Sequence, residues 1–296
     1  MATVEELLRE AAGRLRVSGS GTPRLDAELL LANVLGIDRS GVIAHGEAPV
    51  GEGSASAFHA AIERREAGEP VAYLRGIREF LGLAFATDAR ALIPRPETEL
   101  VVELAEAEIG RRLTAGPRTA GAPSVRVADV GTGCGAIAVA LAIRLRARGM
   151  LGEVDLLATD DSTPALDLAK ENAVGHAVAD GLRFRESDLI PLDESPFDLI
   201  LANLPYVPSA EIDDLPAGLS FEPRHALDGG PDGLDVIRRL VRDLPETLAQ
   251  RGIALLEIGA DQGAAIVGVV AELSGHWSCI VQNDLAGLPR VARVGR

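Results

Sequence analysis

Cysteine is nearly absent from this chain. Cys134 and Cys279 are the only two in 296 residues, far apart and matching no ligand spacing, so neither a disulfide framework nor a zinc site is supported. The five histidines are scattered and form no metal motif. No metal is expected. There is no run of about 18 uninterrupted apolar residues, which leaves no candidate membrane helix. Met1 to Arg16 is charged and amphipathic rather than signal-like, so the expected location is cytoplasmic. Positive charge is also scarce, with 29 Lys plus Arg against 44 Asp plus Glu and a net charge of −15. Such a balance argues against a chain built to grip nucleic-acid phosphates and suits a protein partner or a small cationic ligand better.

What is present is an ordinary globular composition, 47% hydrophobic and 25% charged. The length suggests one large domain plus a small one. Val4, Leu7, Leu8, Ala11 and Leu15 recur at helical spacing, a second amphipathic run from Arg24 to Leu35 stops at Gly36, and a third candidate helix covers Ala55 to Ala67. Three short helices bury little alone, so this bundle is expected to pack on, or present something to, the larger remainder of the chain. Glu79 to Phe85 reads as an extended or hairpin segment and Leu92 to Glu99 as a Pro-stiffened connector, with a helix from Glu97 to about Arg112 after it. Thr114 to Ser124 reads as a Gly/Ala/Pro-rich surface loop.

Beyond Ser124, strands and helices alternate. Strands are expected at Val125–Val130, Val154–Thr159, Leu182–Glu186, Phe197–Ala202 and Ile253–Ile258, with further ones near Trp277–Gln282 and Val291–Val294. Helices are expected at Ala136–Arg148, from Pro164 to about Ala177, from Leu234 to about Ala249, and through Val270. Repeated βα units imply a parallel sheet covered on both faces. The Pro-, Asp- and Gly-rich stretch from Asn203 to Gly233 is too long for a routine connection and reads as a working loop or lid.

Three features mark the strand ends. Asp129-Val130-Gly131-Thr132-Gly133-Cys134-Gly135 lies between a strand and its helix, where glycines admit a ligand close to the backbone and to free helix N–H groups. Asp160 ends the next strand, placed to take the two hydroxyls of a ribose. The spacing also fits a dinucleotide enzyme, though only through the variant that puts Ala136 at the third glycine. Acids suit a cationic cofactor better than a pyrophosphate, and Asp129 and Asp188 fit the same logic. Asn203-Leu204-Pro205-Tyr206 then comes directly after the strand Phe197–Ala202. An amide, a backbone carbonyl and an aromatic ring at one turn form a recogniser for a planar NH2 group.

The Asp-x-Gly-x-Gly-x-Gly form resembles the first motif of S-adenosylmethionine-dependent methyltransferases. Nearly the whole chain is similar to the protein-(glutamine-N5) methyltransferases of the HemK/PrmC type. The similarity rests on Phe80-Leu81-Gly82-Leu83, Leu92-Ile93-Pro94-Arg95-Pro96-Glu97-Thr98-Glu99, the glycine loop, Asp160, Asp188-Leu189, Asn203 to Tyr206, Phe221 to Leu227, Gly229 to Leu234 and Leu285-Ala286-Gly287. The resemblance implies a seven-stranded Rossmann-like class I methyltransferase sheet of α/β type, with a helical docking domain over residues 1–75, a hairpin connector over 76–96 and the catalytic domain over 97–296. It further implies S-adenosylmethionine as cofactor, held by Gly131, Thr132, Gly133, Cys134, Gly135, Asp160, Asp188, Leu189 and Asn203. The implied substrate is the glutamine of the Gly-Gly-Gln motif in peptide chain release factors, handled by Asn203, Leu204, Pro205 and Tyr206.

One residue departs from the pattern. The family turn is Asn-Pro-Pro-Tyr, and Leu204 stands in place of its first proline, giving a turn similar to that of ribosomal RNA adenine-N6 dimethyltransferases. An RNA enzyme is therefore the alternative, with the acidic balance, the Ile-Pro-Arg-Pro-Glu-Thr-Glu segment and the N-terminal position of the helices against it. Leu204 still supplies the backbone carbonyl, while Asn203 loses the restraint that a following proline imposes. Glu97, Thr98 and Glu99 resemble family residues near the cofactor. His225 reads as a loop-packing residue, Cys134 as an unactivated thiol and Glu257 as a structural strand-end acid.

Overall fold

Leu7, Leu8, Ala11 and Leu15 do share the buried face of a helix, α1 (Val4–Val17), whose start is fixed by a capping box between Thr3 and Glu6. The computed structural model describes residues 1–115, 125–194 and 196–296. Its first unit, Met1–Arg78 together with Leu215–Phe221, continues with α2 (Pro23–Leu35), α3 (Arg39–Ala44), α4 (Glu52–Glu66) and α5 (Val71–Arg75). Gly36 ends α2 in the left-handed conformation, as its place in the sequence suggests. The short α3 and α5 escape periodicity because six and five residues span too few turns to repeat a face. Leu15, Leu31, Phe58 and Ile62 form the fully buried centre, and the buried Glu28 carboxylate is held by Arg24 at 2.7 Å and Arg39 at 2.8 Å.

In chain order a hairpin of β1 (Ile77–Phe80) and β2 (Leu83–Ala86) comes between the helices and the large sheet. Phe80 and Phe85 meet edge to face, 5.9 Å between ring centres. The second unit comprises Glu79–Asp214 and Glu222–Arg296. After a 3-10 turn at Pro96–Thr98, α6 (Glu99–Thr114) leads to the sheet. The loop expected over Thr114 to Ser124 lies, from residue 116 onward, outside the described residues.

The sheet contains β3 (Val125–Val130), β4 (Val154–Asp160), β5 (Arg183–Glu186), β6 (Phe197–Ala202), β7 (Leu248–Glu257), β8 (Ser278–Asn283) and β9 (Pro289–Gly295), alternating with α7 (Ala136–Ala147), α8 (Thr163–Gly175), α9 (Asp235–Thr247) and α10 (Gly263–Ala271). Its order is β5-β4-β3-β6-β7-β9-β8, parallel except where β9 pairs antiparallel with β7 and β8. This is the seven-stranded α/β architecture expected. In β6 every residue is buried: Leu199 and Leu201 join the core that includes α6 and α7, while Ile200 and Ala202 join the core with α9 and α10. Burial on both faces explains its unbroken apolar run.

The largest boundary difference from the reading of the sequence lies at the start of β7. The helix expected to reach Ala249 stops at Thr247, and β7 begins at Leu248, five residues before the expected Ile253. Leu248 pairs with Phe197, and the register then shifts before Leu199 meets Ile253. Such an irregularity interrupts the alternation by which strands are recognised. Ile200→Ala, which empties a position in the strand that leads to Asn203, is expected to cost about 2–5 kcal/mol. Urea unfolding followed by circular dichroism measures this; a cost below about 1 kcal/mol would contradict the packing described.

Candidate active site

β3 is the switch point of the sheet: the chain goes from it to β4 and β5 on one side, then crosses back to β6 on the other. Val130 pairs with Thr159 and with Ala202, so the residues next in sequence, Gly131, Asp160 and Asn203, stand side by side at the carboxyl edge. A crevice at this edge is where open α/β sheets bind ligands. A cleft there is lined by Gly131, Thr132, Gly133, Cys134, Asp160, Asp188, Leu189, Asn203, Leu204 and Pro205, among others. Two of the residues expected in the site are not part of that lining. Gly135 caps α7 with φ +83° and sits so close to α8 that a Cβ would meet Ala169 at 3.1 Å. Tyr206 packs against the core on the α9 side and turns its hydroxyl toward Glu257, 3.5 Å away.

The glycine loop is held from beneath. Asp129, wholly buried, accepts the Thr132 hydroxyl at 2.6 Å and the Ala138 N–H at 3.1 Å through Oδ2, while its Oδ1 has no partner among the described residues. Burial pushes its carboxyl up to about 7, the two bonds pulling against that rise and the Asp160 charge adding to it. Gly131 has φ +69°, and a Cβ on it would lie 2.8 Å from Leu204 Cδ2. Only glycine lets the loop and the Asn203 turn approach this closely.

Asp160 ties the loop to the second strand, Oδ2 accepting the Gly133 N–H at 2.8 Å and Oδ1 the Ser162 N–H at 2.9 Å. Burial raises its pKa, and these two N–H groups oppose the rise. Each oxygen keeps a second lone pair for an outside hydroxyl. Asp188 lines the same cleft, and the two acids together suit a hydroxyl-bearing, cationic ligand. Asp188 accepts Arg239 at 2.5 Å. Leu189 takes φ +63°, a strained value for a branched residue, its carbonyl accepting the Thr159 hydroxyl at 3.1 Å. Cys134 is buried, which pushes its thiol up to about 12 and keeps it neutral.

The Asn203 turn keeps its shape by means other than the missing proline. Leu204 is 5% exposed, packed over Gly131. The Tyr206 carbonyl accepts Gln262 Nε2 at 2.9 Å, and Val207 bonds to Leu227 and Gly229 on both sides. Asn203 donates Nδ2 to Thr98 Oγ1 at 2.9 Å, which leaves its Oδ1 without that partner. Thr98 is brought there by the 3-10 turn of the Pro-Arg-Pro segment. That segment is clamped by buried Glu222, which accepts the Ile93 N–H at 2.9 Å and Arg95 at 2.5 Å.

Arg239, Arg95 and His225 also line the cleft. Loop packing is the role the sequence suggests for His225, and the structure places it in the cleft lining. Its segment carries no periodic or spacing signal that would place it there; only its position in the Phe-Glu-Pro-Arg-His stretch points to the site.

Residues 6–76 match the family described as the PrmC N-terminal domain, and residues 117–217 match the methyltransferase small domain. Over 97% of its length the chain is 40% identical to a protein of Moorella thermoacetica named release factor glutamine methyltransferase, covering 96% of it. The protein of the same name from Bradyrhizobium diazoefficiens is 39% identical over 97% of this chain and 93% of its own. Among solved structures, the catalytic domain of hMettl16 in complex with MAT2A 3'UTR hairpin 6 superposes with a TM-score of 0.53 at 16% identity, covering 72% of this chain and 75% of that one. That likeness concerns the fold alone.

Because the Asp129 carboxyl is raised in the folded state, its contribution to stability is present in full below the unfolded value near 4 and is lost as pH rises through about 7. Asp129→Asn removes that loss. The urea midpoint of the variant relative to the unaltered protein is expected to move in the variant's favour between pH 5 and pH 8; a difference independent of pH would contradict the buried, protonatable state.

Proposed function

The chain belongs to the release factor glutamine methyltransferase family, and from that premise we propose how its cleft carries out the transfer. The enzyme is an S-adenosylmethionine-dependent methyltransferase acting on a glutamine of a release factor, and the bound cofactor supplies an electrophilic methyl group on a cationic sulfur. We assign Gly131, Thr132, Gly133 and Cys134 to the cradle of that cofactor, with Gly135 shaping the loop from behind. Asp160 is assigned to the ribose hydroxyls, and Asp188 with Leu189 to the far wall. The substrate is taken as the glutamine of the Gly-Gly-Gln motif, modified at its side-chain nitrogen, with the helical unit as its docking domain. A substrate from the translation apparatus puts the enzyme in the cytoplasm. No described helix is long and apolar enough to cross a membrane.

An amide nitrogen is a weak nucleophile because its lone pair is delocalised into the carbonyl, so the enzyme has to orient it and accept hydrogen bonds from its two N–H groups; once methylated, the nitrogen gives up one proton to water. Asn203 Oδ1 and the Leu204 carbonyl take the two N–H bonds of the substrate amide and aim its nitrogen. Orientation supplies most of the acceleration, and the two acceptors ease the positive charge that develops on nitrogen. Pro205 walls the amide at the cleft, with Tyr206 behind it. The observation that carries this reading is the Asn203 Nδ2 bond to Thr98 Oγ1 at 2.9 Å: with the donor end occupied, the acceptor end is the one left for a substrate NH2.

The alternative of an RNA adenine substrate would use the same recogniser for a planar amino group. The full-length relatives carry the release-factor name, and the acidic balance of −15 favours a protein substrate. Asn203→Ala is expected to lower kcat on purified release factor at least 1000-fold while the cofactor Kd, by calorimetry, stays within about threefold. Equal loss of both would contradict the division of roles.

A further inference from the structure

Inside α8, where helix propensity and burial both disfavour asparagine, stands Asn172. It is 4% exposed and is not part of the cleft lining. Its side-chain amide makes three hydrogen bonds, none of them within its own helix. Oδ1 accepts the Ala86 N–H at 2.7 Å, and Nδ2 donates to the Ala86 carbonyl at 3.1 Å and to the Cys134 carbonyl at 2.9 Å. One side chain thus pairs with the end of β2 and with the glycine loop. Ala169, one turn earlier on the same face of α8, is the residue that a Cβ on Gly135 would meet at 3.1 Å.

The bond to Cys134 replaces one that α7 gives up. In a helix begun one residue earlier, the Ala138 N–H would bond to the Cys134 carbonyl. Instead Gly135 turns out of the helix with φ +83°, and the ladder starts with the bond from the Val139 N–H to the Gly135 carbonyl at 2.8 Å. Each of the two groups left over is taken by a side chain. Asp129 Oδ2 accepts the Ala138 N–H at 3.1 Å, and Asn172 Nδ2 donates to the Cys134 carbonyl. A buried carbonyl without such a donor is costly.

We propose that Asn172 is a positioning residue for the cofactor, holding the glycine loop unwound at Cys134. This rests on the reading of Gly131 to Cys134 as the cofactor cradle. Without the Nδ2 donor, the Cys134 carbonyl turns to the Ala138 N–H, so that α7 gains a residue and the loop loses one. Gly133 and Cys134, which line the cleft, then leave the positions from which they meet the cofactor. Asn172 bonds to Ala86 and Cys134 and not to the Asn203 turn, so the defect falls on cofactor affinity rather than on the transfer step. Asn172 also anchors β2, and α8 holds that strand a second time through His176. The His176 Nε2 bonds to the Ala84 carbonyl at 2.8 Å, and its ring centre lies 5.2 Å from that of Phe85. Neither contact involves the glycine loop, which makes His176→Ala the control for strand anchoring alone.

The experiment compares Asn172→Asp, Asn172→Ala and His176→Ala with the unaltered enzyme. The first keeps an acceptor for the Ala86 N–H and lacks the donor for Cys134; the second removes the whole amide while favouring the helix. The measurements are the S-adenosylmethionine Kd by calorimetry, kcat on purified release factor at saturating cofactor, the melting temperature, and the amide NMR shifts of residues 131–135 on adding S-adenosylhomocysteine. Expected is a cofactor Kd weaker by about tenfold or more in both Asn172 variants, with kcat within about threefold. In His176→Ala the Kd stays within about twofold, whatever its melting temperature. A Kd within about twofold in both Asn172 variants overturns the proposal, and Asn172→Ala decides alone should Asn172→Asp not fold. Equal weakening in His176→Ala overturns it too, by assigning the effect to the strand. A loss of kcat at saturating cofactor as large as the loss of affinity does the same. Each of these leaves the cradle reading intact, whereas an absence of shifts at residues 131–135 in the unaltered enzyme overturns that reading and the proposal together.

Discussion

Parallel pairing of β3 with β4 on one side and β6 on the other is the constraint on which the site depends. Because Val130 is in register with both Thr159 and Ala202, three chain segments distant in sequence leave the sheet at one level and share one crevice. A slip of one residue in either pairing would turn alternate side chains to the opposite face. Both cores oppose that slip, since Leu199 and Leu201 are buried on one face and Ile200 and Ala202 on the other. The apolar cores therefore set the geometry at which the polar ends meet.

At that edge a small number of buried polar groups converts position into orientation. Asp129 supports the glycine loop, Asp160 binds that loop to the second strand, and Glu222 clamps the Pro-Arg-Pro segment so that Thr98 reaches Asn203. Each is a carboxylate taken out of water, and burial raises the pKa of Asp129, Asp160 and Glu257. Hydrogen bonds from backbone N–H groups and hydroxyls offset part of that penalty. Leu204 belongs to the same arrangement. Where the family pattern has a proline, this chain holds the turn by burying Leu204 over Gly131 and by the bond from Gln262 to the Tyr206 carbonyl.

The strand-end features are legible in the sequence because each is local. The glycine loop, Asp160 and the Asn203 turn are set by a few consecutive residues at the end of an apolar run, and the topology of the sheet brings them together. The partners of those residues are not legible. Thr98 and Asn203 are 105 positions apart, and Glu222 and Ile93 are 129 apart; single hydrogen bonds between distant loops leave no period to detect. The seven strands can be placed from alternation and apolar runs, except where the irregular start of β7 breaks the pattern. Tyr206 shows the opposite limit: its place in the turn is plain, but only the packing shows its ring against the core on the α9 side and its hydroxyl near Glu257.

The central claim is that two acceptors at one turn, Asn203 Oδ1 and the Leu204 carbonyl, hold the NH2 end of a substrate amide. A crystal structure of the enzyme with a release factor and S-adenosylhomocysteine tests it most directly. The account predicts the substrate glutamine Nε2 within about 3.2 Å of both oxygens, with Asn203 Nδ2 still on Thr98. A glutamine bound through its carbonyl oxygen to Asn203 Nδ2, or seated away from the turn, would contradict it.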